Sequence, residues 1–337
     1  MNKLNYSLLI IVLICWSCAK KSESEKHQNK RNIVVNVREK VKEIIINEDD
    51  VLVGATPHVY LLDNYLIISD HRSVDKLIHI FDINGYTYLK STAERGQGPD
   101  EITNMGQINT NETKREFYVS DNGKLIIFQY NLDSVLTNPV YKPKVKMRMD
   151  KILFPVVYQY INDTLSIGQI IEPVGNFDFN EHVAKFNMNT GEITTMKYKH
   201  PGLKKNLAAT AASVDYGIYV ECSQKYDLMI ICSLNGDLRH IIYGPNWNRN
   251  SDGLFHYQEV RFCNNRILAT YSGEDWNTAG RPTKFFVFDL TGNYIRTIET
   301  GYKIIDFCHD TKNNRLIMSL NDAKIQFAYL DLDGLID

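Results

Sequence analysis

Seven side chains spread along this sequence have the chemistry of a binding surface: Arg72, Arg95, Asp121, Trp247, Arg249, Trp276 and Arg281. Each lies in a polar stretch between apolar runs: His71-Arg72-Ser73, Arg95 to Pro99, Asp121 to Lys124, Asn246 to Arg249, and Ser272 to Pro282. Guanidinium and indole groups on loops over a rigid scaffold make good anchors, because they offer a large contact area and directional donors together. The competing reading is that Trp247 and Trp276 merely cap the edges of the fold. Asp70, Asp121 and Glu274 could instead supply oxygen ligands for a metal-assisted hydrolysis.

Complete catalytic signatures are missing. The nine histidines form no His-x-His and no His-Glu-x-x-His, and there is no Gly-x-Ser-x-Gly. The turns Asn187 to Gly191 and Asp331 to Gly334 lack the ligand ladder of a calcium loop, which ends in Glu. Arg95-Gly96-Gln97-Gly98-Pro99 precedes no helix, so it has no helix N-terminus with which to cradle a phosphate. It reads as a turn whose glycines supply positive φ.

What must position these residues is a repeat. A unit of about 50 residues recurs, each copy ending in an apolar strand and an Asp/Asn/Gly turn. The turns are Phe81 to Gly85, Phe186 to Gly191, Cys232 to Gly236, Phe288 to Gly292 and Leu330 to Gly334, with a weaker copy at Tyr130 to Ser134. Six phases of strand imply an all-β fold, a six-bladed β-propeller with four-stranded antiparallel blades. The Val135 region stands where the outer strand of blade 2 belongs. The sixth repeat stops after Leu330, one strand short. Either Asn32 to Val37 or Glu43 to Ile46 can complete that last blade and close the ring.

Antiparallel geometry then sorts the loops. The Asp/Asn/Gly turns join strands C and D and emerge on one face with the A–B turns. The stretches that carry the seven candidates join B to C, or D to the next A, and emerge together on the other face.

Leu8 to Trp16 is apolar and too short to span a bilayer, and Ser17-Cys18 follows it. That is the shape of a lipoprotein signal at 1–17, with Cys18 acylated. Residues 18–31 are charged and read as a disordered tether, leaving 32–337 as the propeller. Cys222, Cys232, Cys263 and Cys308 read as buried free thiols, since centring the hairpin near Gln224 to Asp227 puts Cys222 opposite Met229 rather than Cys232. A formal net charge of −2 argues against a nucleic-acid partner. The basic run Lys142 to Lys151 reads as a solvated connector.

Leu66 to Asp70, Leu77 to Asp82, Arg95 to Ile102 and Phe117 to Lys124 resemble the NHL-repeat layout. The Gly-x-Gly-Pro-x-Glu element within them is similar to that of TolB-like six-bladed propeller lipoproteins of Bacteroidetes. The resemblance is strong over 59–130 and carries over no catalytic residue. It implies a cell-envelope protein, lipid-anchored at Cys18 to the outer membrane on the periplasmic side. The expected function is a binding module for a glycan, a peptide or an envelope protein. The alternative is a hydrolase or lactonase with a metal-assisted site at the channel mouth. No cofactor is required, and a metal ion at the central channel is left open.

Overall fold

In the computed structural model, residues 24–150, 153–175, 179–203, 207–247, 253–275 and 280–337 are described. They form six sheets arranged as the blades of a propeller, each with four antiparallel strands, A innermost to D outermost, and blades 4 and 5 carry a fifth strand outside D. Blade 1 comprises His58–Leu62, Tyr65–Ser69, Lys76–Asp82 and Tyr88–Glu94. Blade 2 comprises Met105–Asn111, Glu116–Asp121, Ile126–Asn131 and Lys144–Arg148. Blade 3 runs from Phe154 to Thr195 and blade 4 from Ala208 to Tyr243. Blade 5 runs from Leu254 to Glu299, and blade 6 holds Ile304–Asp310, Arg315–Leu320 and Phe327–Asp331.

The strands form because their apolar residues are β-branched or aromatic and face both neighbouring blades. Strand C of blade 1, Lys76–Asp82, is buried along its whole middle. The core is accordingly a series of inter-blade clusters rather than one centre. Phe285 and Phe307, for example, meet edge to face at 5.0 Å between blades 5 and 6.

The segment before blade 1 wraps the rim. Strand β1 (Glu25–His27) adds in parallel to the outer strand of blade 4, and β2 (Val34–Asn36) adds in parallel to that of blade 5. Strand β3 (Lys42–Glu43) pairs antiparallel with Phe327–Asp331 and is the missing fourth strand of blade 6. Ile44 extends the pairing by donating its N–H to Phe327 O at 2.8 Å. Of the two segments able to close the ring, the second therefore does so.

Three expectations are corrected. Residues 24–31 are not a disordered tether: besides forming β1, they place Arg31 between blades 4 and 5, its Nη1 2.7 Å from Asp227 Oδ1, with both side chains buried. The Val135 region is not a strand but a short helix, α1 (Leu132–Thr137), with Asn131 Oδ1 capping Ser134 N at 3.0 Å. The outer strand of blade 2 is Lys144–Arg148, taken from the basic run that reads as a connector. The four cysteines are buried and free, with Cys222 opposite Met229. Residues 1–23, Cys18 included, lie outside the described residues.

Candidate functional site

The loop face is stiffened by side chains bonded to backbone. At the end of strand B in blade 1, Asp70 accepts Gly54 N at 2.8 Å and Arg72 N at 2.9 Å, one on each oxygen. Asp121 ends strand B of blade 2 in the same way. Its Oδ2 accepts Thr103 N at 2.8 Å, and its Oδ1 accepts Asn104 N at 3.0 Å and Gly123 N at 2.9 Å. Both carboxylates thus tie a B–C loop to the segment entering the blade. Arg95 closes the same clamp from the other side, donating to His71 O and Ser73 O at 3.1 and 2.9 Å. Lys124 Nζ reaches Glu101 O at 2.7 Å across the next connector.

The Gly-x-Gly-Pro-x-Glu element has a steric explanation. Gly98 N donates to Glu101 Oε2 at 2.7 Å, and a Cβ on Gly98 would fall 2.8 Å from Glu101 Cδ. A Cβ on Gly96 would strike the same carboxylate. Neither glycine has positive φ. The expected role in the turn is replaced by room for the Glu101 side chain.

The other candidates are placed as follows. Arg72 is exposed on the loop face and Arg281 is half-buried. Trp247 is half-buried in an aromatic stack, with ring centroids 4.8 Å from Tyr243 and 5.5 Å from both Tyr226 and His200. Its indole packs against the outer strand of blade 4. Arg249 and Trp276 lie outside the described residues, and Glu274 is exposed.

Towards the face of the A–B turns, the innermost strands enclose a cavity of about 340 Å³, lined by residues of all six, among them Tyr60, Asn109, Tyr160, Thr210, Arg261 and Cys308. Polar side chains stitch these strands together. Gln107 Oε1 accepts Tyr158 N at 2.8 Å, and Gln159 Oε1 accepts Ala212 N at 2.8 Å. Asp306 Oδ2 accepts Val59 N at 3.1 Å.

A charged cluster that matches no catalytic or metal motif in the sequence lies along the same strands. Asp306 bridges His58 Nδ1 at 3.3 Å and Arg261 Nη2 at 3.2 Å, while Arg261 Nη1 reaches Glu259 Oε2 at 3.0 Å. The His71 ring stands edge-on to His58 at 5.4 Å, and its Nδ1 is 3.1 Å from Met105 O. Burial alone would depress the His58 pKa, but the bond to Asp306 outweighs it and the value is raised. Burial and then the neighbouring charge of His58 lower that of His71. Burial lifts the Glu259 carboxyl against the pull of Arg261. Burial opposes ionisation of Asp306 too, but the His58 bond and the Arg261 charge win and its pKa is lowered.

The cluster is a chain of paired charges in which Arg261 joins Glu259 to Asp306, and of its members Arg261 lines the cavity. Among the described residues, no group of three or more His, Cys, Asp or Glu is placed to hold a metal ion. One sequence clue to the cluster existed: aligning Tyr257 to Cys263 with Tyr302 to Cys308 sets Arg261 against Asp306, and these two meet across adjacent blades.

Comparisons with known proteins agree on the fold. A family model described as a 6-bladed beta-propeller (DUF5128) matches residues 46–195, which span blades 1 to 3 and the approach to them. Among solved structures, a member of the duf4221 family from Bacteroides vulgatus is similar with a TM-score of 0.58 and 12% identity, over 90% of this chain and 98% of that one. A protein of Bacteroides fragilis described as exported has a TM-score of 0.58 and 10% identity, over 91% of this chain and 98% of that one. The calcium-binding regucalcin of Agrobacterium tumefaciens has a TM-score of 0.53 and 9% identity, over 88% and 95% of the two chains. At these identities the likeness is one of fold. Curated proteins yield no match to the sequence.

Proposed function

We propose that this chain is an envelope binding module, lipid-anchored through Cys18, which presents the loop face to a glycan, a peptide or an envelope protein. The observation that carries this reading is the clamped loop face. Asp70, Arg95, Asp121 and Lys124 hold the loops of blades 1 and 2 by bonds to their backbones. Loops ordered in advance spend little entropy when a partner docks, so more of the contact energy appears as affinity. The similar exported protein of Bacteroides fragilis supports the envelope setting. The metal-assisted hydrolase draws no support from Asp70 and Asp121, whose oxygens are taken up by backbone amides.

The test is retention of an envelope partner by two sets of variants whose melting temperatures match the parent. Arg72→Ala with Arg281→Ala alters the loop face. Asn84→Ala, Asn189→Ala and Asn235→Ala alter the exposed C–D turns opposite. Loss confined to the first set, on the order of 1–2 kcal/mol per anchor, is expected. Equal loss from both sets, or loss only from the second, overturns the assignment of the face.

A further inference from the structure

The outer edge of blade 5 is filled by the chain's own β2, and the receptor for that strand is specific. Thr297 N–H donates to Ile33 O at 2.7 Å, and Tyr294 Oη donates to the same oxygen at 2.9 Å. The two receptor side chains are bonded to each other, Tyr294 Oη to Thr297 Oγ1 at 2.8 Å. Blade 4 repeats the backbone half of this device, with Ile241 N–H donating to Ser24 O at 2.7 Å.

Blade 1 carries the same receptor. Tyr88 pairs with Phe81 as Tyr294 pairs with Phe288, and Ser91 pairs with His79 as Thr297 pairs with Phe286. Both strands shift register at the same step, directly after the tyrosine. Tyr88 and Ser91 are also bonded hydroxyl to hydroxyl, at 2.8 Å. In blade 1, however, Tyr88–Glu94 is the last strand of its sheet among the described residues, and beyond strand C only its Glu94 end is taken, by Ile102 N–H at 2.8 Å. Beside it runs a groove of about 370 Å³, bounded by Lys90, Ser91 and Thr92 on one side and Asn138, Pro139 and Val140 on the other. Pro139 and Pro143 lack N–H groups, which disfavours pairing of that segment with the edge. Val140 is 78% exposed along it. Ala93, at φ 64°, bends the strand and limits an incoming partner to a few residues, the length of β1 and β2.

We propose that the outer edge of blade 1 is a docking site for an extended segment of a partner polypeptide, added in parallel as β2 is added to blade 5. The occupant's chemistry follows from the filled copy. A carbonyl takes the Ser91 N–H and the Tyr88 hydroxyl, and β-branched residues follow it, as Val34 and Val35 follow Ile33. Lys90 makes no ion pair among the described residues and favours a carboxylate on the segment. Main-chain bonds supply the affinity and side-chain contacts the selectivity, the usual division in strand addition.

The probe is the capped peptide Asn32 to Val37, fluorescently labelled, together with the same peptide carrying Asn36→Asp and one methylated at the Val35 amide. The full chain is expected to bind the first two and to bind the methylated peptide at least tenfold more weakly. Tyr88→Phe with Ser91→Ala should weaken binding at least fivefold, while Tyr294→Phe, at the filled edge, leaves it unchanged. Equal binding by the blade 1 variant, a tolerated methyl group, or no binding at millimolar peptide overturns the proposal. Because the loop-face variants Arg72→Ala and Arg281→Ala lie elsewhere, they should leave peptide binding intact, so this site and the proposed loop-face function fail separately.

Discussion

Glu221 has little room for a charge. It sits in the second strand of blade 4, only 8% exposed, beside a cavity of about 110 Å³ that Glu181 and His200 also line. Burial pushes its pKa up to about 7. A carboxyl whose folded pKa is raised binds its proton more tightly in the native state. Its contribution to stability is therefore fullest below the unfolded value, falls as pH rises towards about 7, and is flat above that. The span is on the order of 3 kcal/mol. Buried histidines such as His71, His79 and His256, whose pKa values burial lowers, act in the opposite sense below their usual range. The difference between parent and variant isolates the carboxyl: Glu221→Gln should gain stability over the parent as the buffer moves from pH 5 to 7.5. Parallel melting curves at both pH values would refute this. Arg31 poses the converse case. It is buried against Asp227 with its guanidinium carbon 4.7 Å from the Phe286 ring centroid and 5.4 Å from that of Phe288. Arg31→Met leaves Asp227 buried without its cation and should cost roughly 3–5 kcal/mol. The double variant Arg31→Met with Asp227→Asn should recover part of that loss in denaturant unfolding, and a fully additive double variant would contradict the pairing.

At the level of elements, the three N-terminal strands do different work, and truncation should separate them. Deleting residues up to 41 removes the added strands of blades 4 and 5 and the Arg31 latch but keeps the fourth strand of blade 6. Deleting up to 46 also opens blade 6 and removes Ile44, which is 3% exposed and packs with Val59, Leu66 and Phe327. The second truncation should lower the melting temperature well beyond the first; equal midpoints would mean that β3 is not the closing strand. The blade rhythm was legible because each strand is an apolar run bounded by a turn, a purely local signal. Which N-terminal run closes the ring was not, since both are short β-branched runs and the choice depends on how Val37 and Ile44 pack into different inter-blade clusters. Helix α1 spans 6 residues, too few to show a helical period, and its cap Asn131 reads equally well as a turn residue. Arg31 sits in a polar stretch that suggests solvation, while its partner lies 196 residues away. Likewise Arg95 and Asp121 were legible as loop residues, but not as clamps, because their partners are backbone groups of other loops.

For the whole molecule, β1 changes what an anchor at Cys18 would do. A long disordered tether would let the propeller tumble freely above the bilayer. Instead the chain is fixed to the rim of blade 4 from Glu25 onward, leaving seven residue steps from Cys18. Even fully extended, such a stretch reaches only about 25 Å. If the acyl chains sit at Cys18, the rim of blade 4 stays close to the membrane and blade 1, across the ring, points away from it. The loop face would then stand to the side rather than straight up, reachable by partners lying along the membrane surface. The expectation is checked with single fluorophores at Arg239, exposed on the outer strand of blade 4, and at Leu89, on that of blade 1. In vesicles carrying a headgroup quencher, the label at Arg239 should be quenched strongly and the label at Leu89 weakly. Inserting about 15 Gly/Ser residues after Cys18 should even out the two signals, because a flexible linker of that length reaches roughly 20 Å on average and several times that at full extension. Cys18→Ala should release the protein from the membrane fraction and abolish quenching at both positions. Equal quenching at the two positions in the unmodified protein would show that the ring is not held by its blade 4 rim.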